Sequence, residues 1–254
     1  MDTVNFLGIE SVYLPSMLAI GLMCLIVLIA SVIQASLGMG YGLTAAPLLA
    51  LVDPVFVPAA TILVGLMTSS MGAWSERSAI NWSEVTYASS GRLFGAGAAG
   101  LLLSIIANTS AFMIVFGVGV GFAVLLSAFN RMLAKTPVTL ASMGAISGLM
   151  GTITGVGAPP LALIYQGSYA GDARPTLAAI FAVGCFVSAV VLAFIGWVGL
   201  REMLLCALMI PPMAAGTFIG RRTHGLVDSR YRTALLSIAG IASLILIVRG
   251  IFAW

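Results

Sequence analysis

Charged residues are scarce in this sequence. Only 7% of its 254 residues are Asp, Glu, Lys or Arg, against about 25% in a soluble domain. Hydrophobic residues make up 61% of the chain. The charge-free stretches 11–52, 93–130 and 136–171 are each long enough for at least one membrane span of about 20 residues. The sequence therefore predicts an all-α integral membrane protein with no sizeable soluble domain.

Residues that carry catalytic and metal chemistry are also scarce. The single histidine, His224, lies among loop arginines, and the three cysteines have no CxxC spacing. Every carboxylate lies near the end of a hydrophobic segment, so none is expected at mid-membrane. A membrane enzyme is therefore disfavoured, and no catalytic residue, metal site or cofactor is predicted. The net charge of +3 does not indicate a nucleic-acid partner, because basic loop residues of this kind set membrane orientation.

The chain contains a weak internal repeat. The stretch ASLGMGYGL (35–43) and the stretch GTITGVGAPP (151–160) both interrupt an apolar segment with glycines, which lower helix propensity. We predict two membrane repeats, 1–130 and 131–254. Each opens with a broken helical hairpin, 15–52 or 137–170, followed by three transmembrane helices predicted at 55–74, 82–105 and 110–129, and at 175–197, 202–220 and 232–250. The repeat alignment pairs Gly38 with Gly151, Gly42 with Gly155, Pro47 with Pro160, Gly65 with Gly184 and Ser69 with Ser188.

The positive charges predict that the two repeats are inverted. Basic clusters at 131–135 and 221–232 should both be cytoplasmic. That is impossible if all segments cross, but it follows if each broken segment dips in and returns. The N-terminus is then outside. Cytoplasmic basic residues are Arg77, Arg131, Lys135, Arg174, Arg221, Arg222, Arg230 and Arg232, and outer ones are Arg201 and Arg249.

The lengths of the hairpin arms support this topology unequally. Arms 138–151 and 156–170 would each be roughly 20 Å long, too short to span a core of about 30 Å. Residues 15–37 are long enough to cross. The sequence therefore leaves open whether the first broken segment re-enters or spans.

The two breaks are the predicted binding site. Irregular backbone at membrane depth must be covered by protein or line an aqueous cavity. A new half-helix is expected near Leu43 and near Ala158, with free N–H groups and a positive dipole end that favour an anion. The predicted substrate-binding residues are Gln34, Ser36, Gly40, Tyr41, Gly42, Thr44, Arg92, Thr152, Thr154, Gly155, Gly157 and Gln166.

Two simpler interpretations compete with this one. Glycines also permit close helix packing, which is the preferred interpretation for GRLFGAGAAG (91–100). Arg92, the one charge well inside a predicted span, either attracts the anion or extends to the cytoplasmic boundary. Since no acid is expected at mid-depth to carry a proton, export driven by the membrane potential is favoured.

At these residues the sequence resembles the sulfite exporter TauE/SafE family, also called the 4-toluene sulfonate uptake permease family. GMGYGLTAAPLLAL (38–51) and GTITGVGAPPLAL (151–163) are similar to the glycine-rich breaks of that family, each followed by a Pro-Leu pair. PAATILVGLMTSS (58–70) and ARPTLAAIFAVGCFVSA (173–189) are similar to the helices that follow them. The resemblance covers nearly the whole chain. It implies a multi-pass transporter of sulfite or organosulfonate, with export as the favoured direction, in the bacterial plasma (inner) membrane.

Several alternatives stay open at this point. An anion channel could use the same site without alternating access. The chain could instead be a structural or assembly partner of another membrane complex. The expected partners are the lipid bilayer and a small anionic substrate, and the oligomeric state is open, with a homodimer as one option.

Overall fold

A computed structural model describes residues 3–4, 12–13, 15–106, 108–128, 132–222 and 229–252. Within these residues the chain forms ten α-helices, and Thr3–Val4 pairs with Val12–Tyr13 in a minimal antiparallel ladder. The helices are α1 (Met17–Leu37), α2 (Tyr41–Val52), α3 (Ala59–Ser75), α4 (Trp82–Ser104), α5 (Thr109–Ala128), α6 (Pro137–Thr154), α7 (Ala158–Tyr165), α8 (Ala170–Phe194), α9 (Leu200–Arg222) and α10 (Ser229–Phe252). The predicted helical class is confirmed.

Six of the described helices are long and apolar enough to cross a membrane: α1, α5, α6, α8, α9 and α10. Helix α3 has only 17 residues, and α4 is rich in glycine, alanine and serine. Large apolar side chains such as Phe94, Leu101 and Phe194 are exposed on the outer surface. Such a surface suits lipid rather than water, so the protein is a multi-pass membrane protein.

The first helix of each broken hairpin ends in the same backbone geometry. Gly38 ends α1 at φ 76° and Gly155 ends α6 at φ 74°, both left-handed, and each donates its N–H to the carbonyl four residues earlier. This corrects the sequence alignment, which paired Gly38 with Gly151. The matching positions are offset by 155 − 38 = 117 residues, because the left-handed cap, rather than the first glycine of each stretch, ends the helix.

The second hairpin has unequal arms, contrary to the expectation of two arms of similar length. Helix α6 has 18 residues and α7 has 8, or about 27 and 12 Å at 1.5 Å per residue. The break lies later than expected because Pro159 and Pro160 do not interrupt a helix. They occupy the first turn of α7, where a missing N–H costs nothing.

Loop contacts divide the helix ends into two groups. At one end, which we call the Asp53 end, Arg201 in the first turn of α9 donates to Asp53 after α2 at 2.9 Å. At the other, the Glu76 end, Arg174 at the start of α8 donates to Glu76 after α3 at 2.6 Å. Arg131, predicted to be cytoplasmic, and His224, predicted to lie in a loop, are outside the described residues, as are the side chains of Arg230 and Arg232.

The helices pack in a reciprocal pattern. Helix α1 packs on α9 as α6 packs on α4, and α2 packs on α10 as α7 packs on α5. Close approach depends on glycine in both cases. A Cβ at Gly95 of α4 would overlap a backbone oxygen of α6, and one at Gly216 of α9 would overlap a backbone oxygen of α1. The packing interpretation of 91–100 therefore holds for Gly95, whereas Gly97 has nothing within 4 Å.

Candidate functional site

A small cavity of about 40 Å³ lies where the two breaks meet. The breaks touch directly, because a Cβ on Gly42 of α2 would overlap the carbonyl oxygen of Gly155. Helices α3, α4 and α8 complete the walls. The lining residues are Gln34, Gly40, Tyr41, Gly42, Thr61, Ile62, Gly65, Ser69, Arg92, Gly151, Gly155, Gly157, Ala158, Phe181, Cys185 and Ser188.

Arg92 is buried in this wall, with 2% of its surface exposed. Its guanidinium donates to Ser147 of α6, whose hydroxyl in turn donates to the carbonyl oxygen of Gly157 in the second break. The centroid of the Phe181 ring lies 5.4 Å from the guanidinium carbon, and a Cβ at Gly184 would overlap the guanidinium. The side chain is therefore held at the breaks, and the alternative in which it extends to the cytoplasmic boundary is wrong.

Three buried hydrogen-bonding atoms that lack a partner belong to residues lining the cavity. They are the hydroxyl of Tyr41, the hydroxyl of Thr61 and the Nε of Arg92, and none finds a hydrogen-bond partner within the described part of the chain. Buried polar atoms are normally satisfied. Three unsatisfied atoms that can donate around one cavity suit a ligand with several acceptor oxygens.

The cavity has one formal charge. The ion pairs among the described residues lie at the helix ends, where Asp53, Glu76 and Glu84 meet basic partners. No carboxylate is among the lining residues of the described structure. An arginine side chain is always charged, so the cavity is net positive and favours an anion.

The model of the sulfite exporter TauE/SafE family matches residues 23–247. The chain belongs to this family. No curated protein and no solved structure matches it. Members of the family are membrane transporters rather than enzymes, so the resemblance seen in the glycine-rich breaks is confirmed and the enzyme alternative is excluded.

Seven of the residues predicted to bind substrate line the cavity of this TauE/SafE transporter. Their chemistry differs from the expectation in one respect. Helix α2 begins at Tyr41, two residues before the expected Leu43. The N–H of Tyr41 donates to the Gln34 side chain at 3.0 Å. The N–H of Val156 is accepted by the Thr154 hydroxyl at 3.0 Å. The breaks therefore offer fewer free N–H groups than predicted. The seven residues are Gln34, Gly40, Tyr41, Gly42, Arg92, Gly155 and Gly157.

The other five predicted residues lie outside the cavity lining. Ser36 donates to the Gly220 carbonyl at 3.1 Å and so joins α1 to α9. Thr44 donates to the Gly40 carbonyl at 3.0 Å within its own helix. Gln166, which has a buried Nε2 without a partner in the described chain, follows α7. These three side chains are polar and near the breaks in sequence, but Ser36 and Thr44 form hydrogen bonds elsewhere and Gln166 lies beyond the end of α7.

Two threonines beside the second break have structural partners. Thr154 donates to the Met150 carbonyl at 2.7 Å. Thr152 shares a 2.7 Å hydrogen bond with Ser188 of α8, and Ser188 does line the cavity. Thr152 therefore borders the cavity through its partner.

Several lining residues were missed by the sequence interpretation. Ser69 and Ser188, on α3 and α8, had been aligned with each other in the repeat, so a signal for them existed. Thr61 and Cys185 had none, because a threonine or cysteine in an apolar helix is common. They are revealed only by the packing of α3 and α8 around the breaks.

A second, narrower cavity of about 20 Å³ adjoins the central one at the Glu76 end. Gln34 lines both cavities. Arg174 and Glu76, the pair that defines that end, line the narrower one, and the Arg174 side chain presses on Gly38. This ion pair therefore forms part of the wall of the narrower cavity, next to the central one.

Proposed function

We propose that this protein exports sulfite, or a closely related small sulfur oxyanion, by binding it in the cavity between the two breaks. The observation that carries this proposal is the buried Arg92 guanidinium, whose Nε has no partner in the described chain and which faces no carboxylate. A buried charge without a counterion is costly. A bound anion would satisfy it, together with the hydroxyls of Tyr41 and Thr61.

We further propose that residues 1–130 and 131–254 are inverted repeats. Gly216 of α9 approaches α1 near residue 28, and Gly220 approaches it near residue 32. Because the residue numbers increase together along the contact, α9 and α1 run parallel. Gly91 and Gly95 of α4 approach α6 in the same sense. Helix α9 begins at the Asp53 end, whereas α4 begins near Glu84 at the Glu76 end. Helices α9 and α4 therefore run in opposite directions, and so do α1 and α6, which are parallel to them. This supports two re-entrant hairpins of opposite orientation.

The orientation follows from the basic residues. Arg77, Lys135, Arg174 and Arg221 gather at the Glu76 end, and positive residues prefer the cytoplasm. The Glu76 end is therefore proposed to face the cytoplasm of a bacterial cell, with the Asp53 end and the N-terminus outside.

The membrane potential is the proposed driving force. Every carboxylate of the described chain lies in the first turn of a helix or at a helix end, so no proton carrier of the usual kind is available inside the helices. A potential that is negative inside contributes about 2.3 kcal/mol per charge per 100 mV. That corresponds to roughly a 50-fold concentration ratio for a singly charged ion. Efflux that continues after the potential is collapsed, with a pH gradient alone, would contradict this coupling.

Sulfite flux in proteoliposomes that contain only this protein tests the site. Arg92→Ala removes hydrogen bonds from a charged donor, each worth about 1.5–3 kcal/mol, so the half-saturating sulfite concentration should rise about 10- to 100-fold. Arg92→Lys keeps the charge but loses the fork of donors and should lie between. Arg222→Ala, which removes a positive charge at the exposed end of α9, is the matched control and should behave as the native protein.

The same vesicles separate the alternatives. Saturation and counterflow indicate a carrier, whereas flux without counterflow indicates an anion channel. Absence of any flux from the purified protein would favour an assembly partner of another complex. Native half-saturation in Arg92→Ala would refute the site.

A further inference from the structure

We infer that the cavity selects a compact anion with a single negative charge, so that sulfite is carried as hydrogensulfite. This inference rests on the proposed function and specifies the substrate form that the same site accepts. It combines the charge of the cavity with its size, two properties that can be tested separately.

The charge argument begins with the groups that surround Arg92. Ser147 packs on it from α6, Phe181 and Gly184 from α8, and Gly157 from the second break. None of these is titratable. The other titratable residues that line the cavity are Tyr41 and Cys185, whose ordinary state at neutral pH is uncharged.

The described cavity therefore holds a charge of +1. A singly charged anion is neutralised there. A doubly charged anion would leave one negative charge uncompensated in a region of low dielectric constant, where such a charge is strongly disfavoured. Asp53, Glu76 and Glu84 are paired with basic residues at the helix ends. They therefore do not hold a second cation beside the cavity.

The size argument uses the cavity volume of about 40 Å³. A cavity needs about 10–15 Å³ to hold one water, and one of about 150 Å³ binds benzene. The site is thus matched to an ion with a few non-hydrogen atoms. An aromatic sulfonate would require Ile62, Phe181 and the backbone of the breaks to move apart, because all three already form the wall.

Competition with radiolabelled sulfite in proteoliposomes tests both properties with ions of fixed charge. Methanesulfonate and sulfate have the same number of non-hydrogen atoms but carry one and two charges. 4-Toluenesulfonate carries one charge but is much larger. Methanesulfonate should inhibit sulfite flux at least tenfold more strongly than either of the others.

The pH dependence provides an independent test. Sulfite gains a proton near neutral pH, so at constant total sulfite the flux should fall as the pH rises from about 6 to about 8, following the singly charged fraction, while methanesulfonate flux stays constant. Equal inhibition by sulfate and methanesulfonate, or sulfite flux that rises over this range, overturns the charge argument. Equal inhibition by 4-toluenesulfonate overturns the size argument. Absence of sulfite flux refutes the proposed function, and this inference with it.

Discussion

Gly155→Ala probes the second break with a change of one methyl group. Gly155 has φ +74°, and an alanine in this left-handed region costs about 1–2 kcal/mol. Its Cβ would also lie 3.2 Å from the Thr61 methyl group and 3.5 Å from the Ala46 Cβ. The first distance is tighter than ordinary van der Waals contact, so Thr61 must shift by a few tenths of an ångström. Thr61 carries one of the three unpartnered atoms of the cavity.

Gly196→Ala is the matched control. Gly196 has φ +78° but nothing within 4 Å of a Cβ, so it shares the backbone strain without the contact. Both variants should lose about 1–2 kcal/mol of stability, measured by thermal unfolding in detergent. A neutral hydrogen bond is worth about 0.5–1.5 kcal/mol. Displacing Thr61 should therefore raise the half-saturating sulfite concentration about two- to tenfold in Gly155→Ala alone. The same half-saturation in both variants would refute the role of Thr61.

Three further predictions concern topology, access and contact between the breaks. Single cysteines at Asp53 and Asp172 should react with an impermeant thiol reagent from opposite sides of the membrane, and reaction from one side would refute inverted repeats. With the other two cysteines replaced, Glu76→Gln should increase labelling of Cys185 from the Glu76 side, because it weakens the ion pair in the wall of the narrower cavity; unchanged labelling would refute access to the site through that cavity. Gly42→Ala should lower sulfite flux at least tenfold, since its Cβ would overlap the Gly155 carbonyl and overpacking costs about 1–3 kcal/mol. Native flux would show that the breaks need not touch.

Most helix positions could be predicted from the sequence. Apolar runs between charges indicate where α3, α4 and α5 lie to within a few residues, because the bilayer demands continuous apolar helices. The approximate positions of the breaks could be predicted from the sequence, but the glycine that ends each helix could not. Gly38, Gly42, Gly151 and Gly155 look alike in the sequence, and only the backbone shows which of them adopt the left-handed cap.

The site was predictable to the extent that it depends on the breaks. Arg92 could be identified because a charge inside an apolar helix is rare. Its partner Ser147 could not, since α4 and α6 are joined by packing rather than by sequence proximity. Polar residues of the breaks were overestimated for a different reason. Thr44 and Thr154 satisfy their own hydroxyls locally, as threonine in a helix often does.

The source of the anion preference is where sequence and structure differ most. The sequence suggested two helix N-termini, each worth about 0.3–1 kcal/mol toward an anion. In the structure the Tyr41 N–H is taken by Gln34, and two of the first three residues of α7 are prolines. A unit charge at about 4 Å contributes about 4 kcal/mol at an effective dielectric constant of 20.

In the proposed site Arg92 therefore outweighs both helix ends together, and we propose that the breaks serve chiefly to make room for the anion and to let the backbone approach it. This ranking predicts that Arg92→Gln raises the half-saturating sulfite concentration more than Gly155→Ala does, although glutamine keeps polar groups in the same place. The two variants should be compared in one vesicle preparation, with flux corrected for the amount of folded protein. A larger effect for Gly155→Ala would mean that backbone geometry, not formal charge, dominates recognition of the anion.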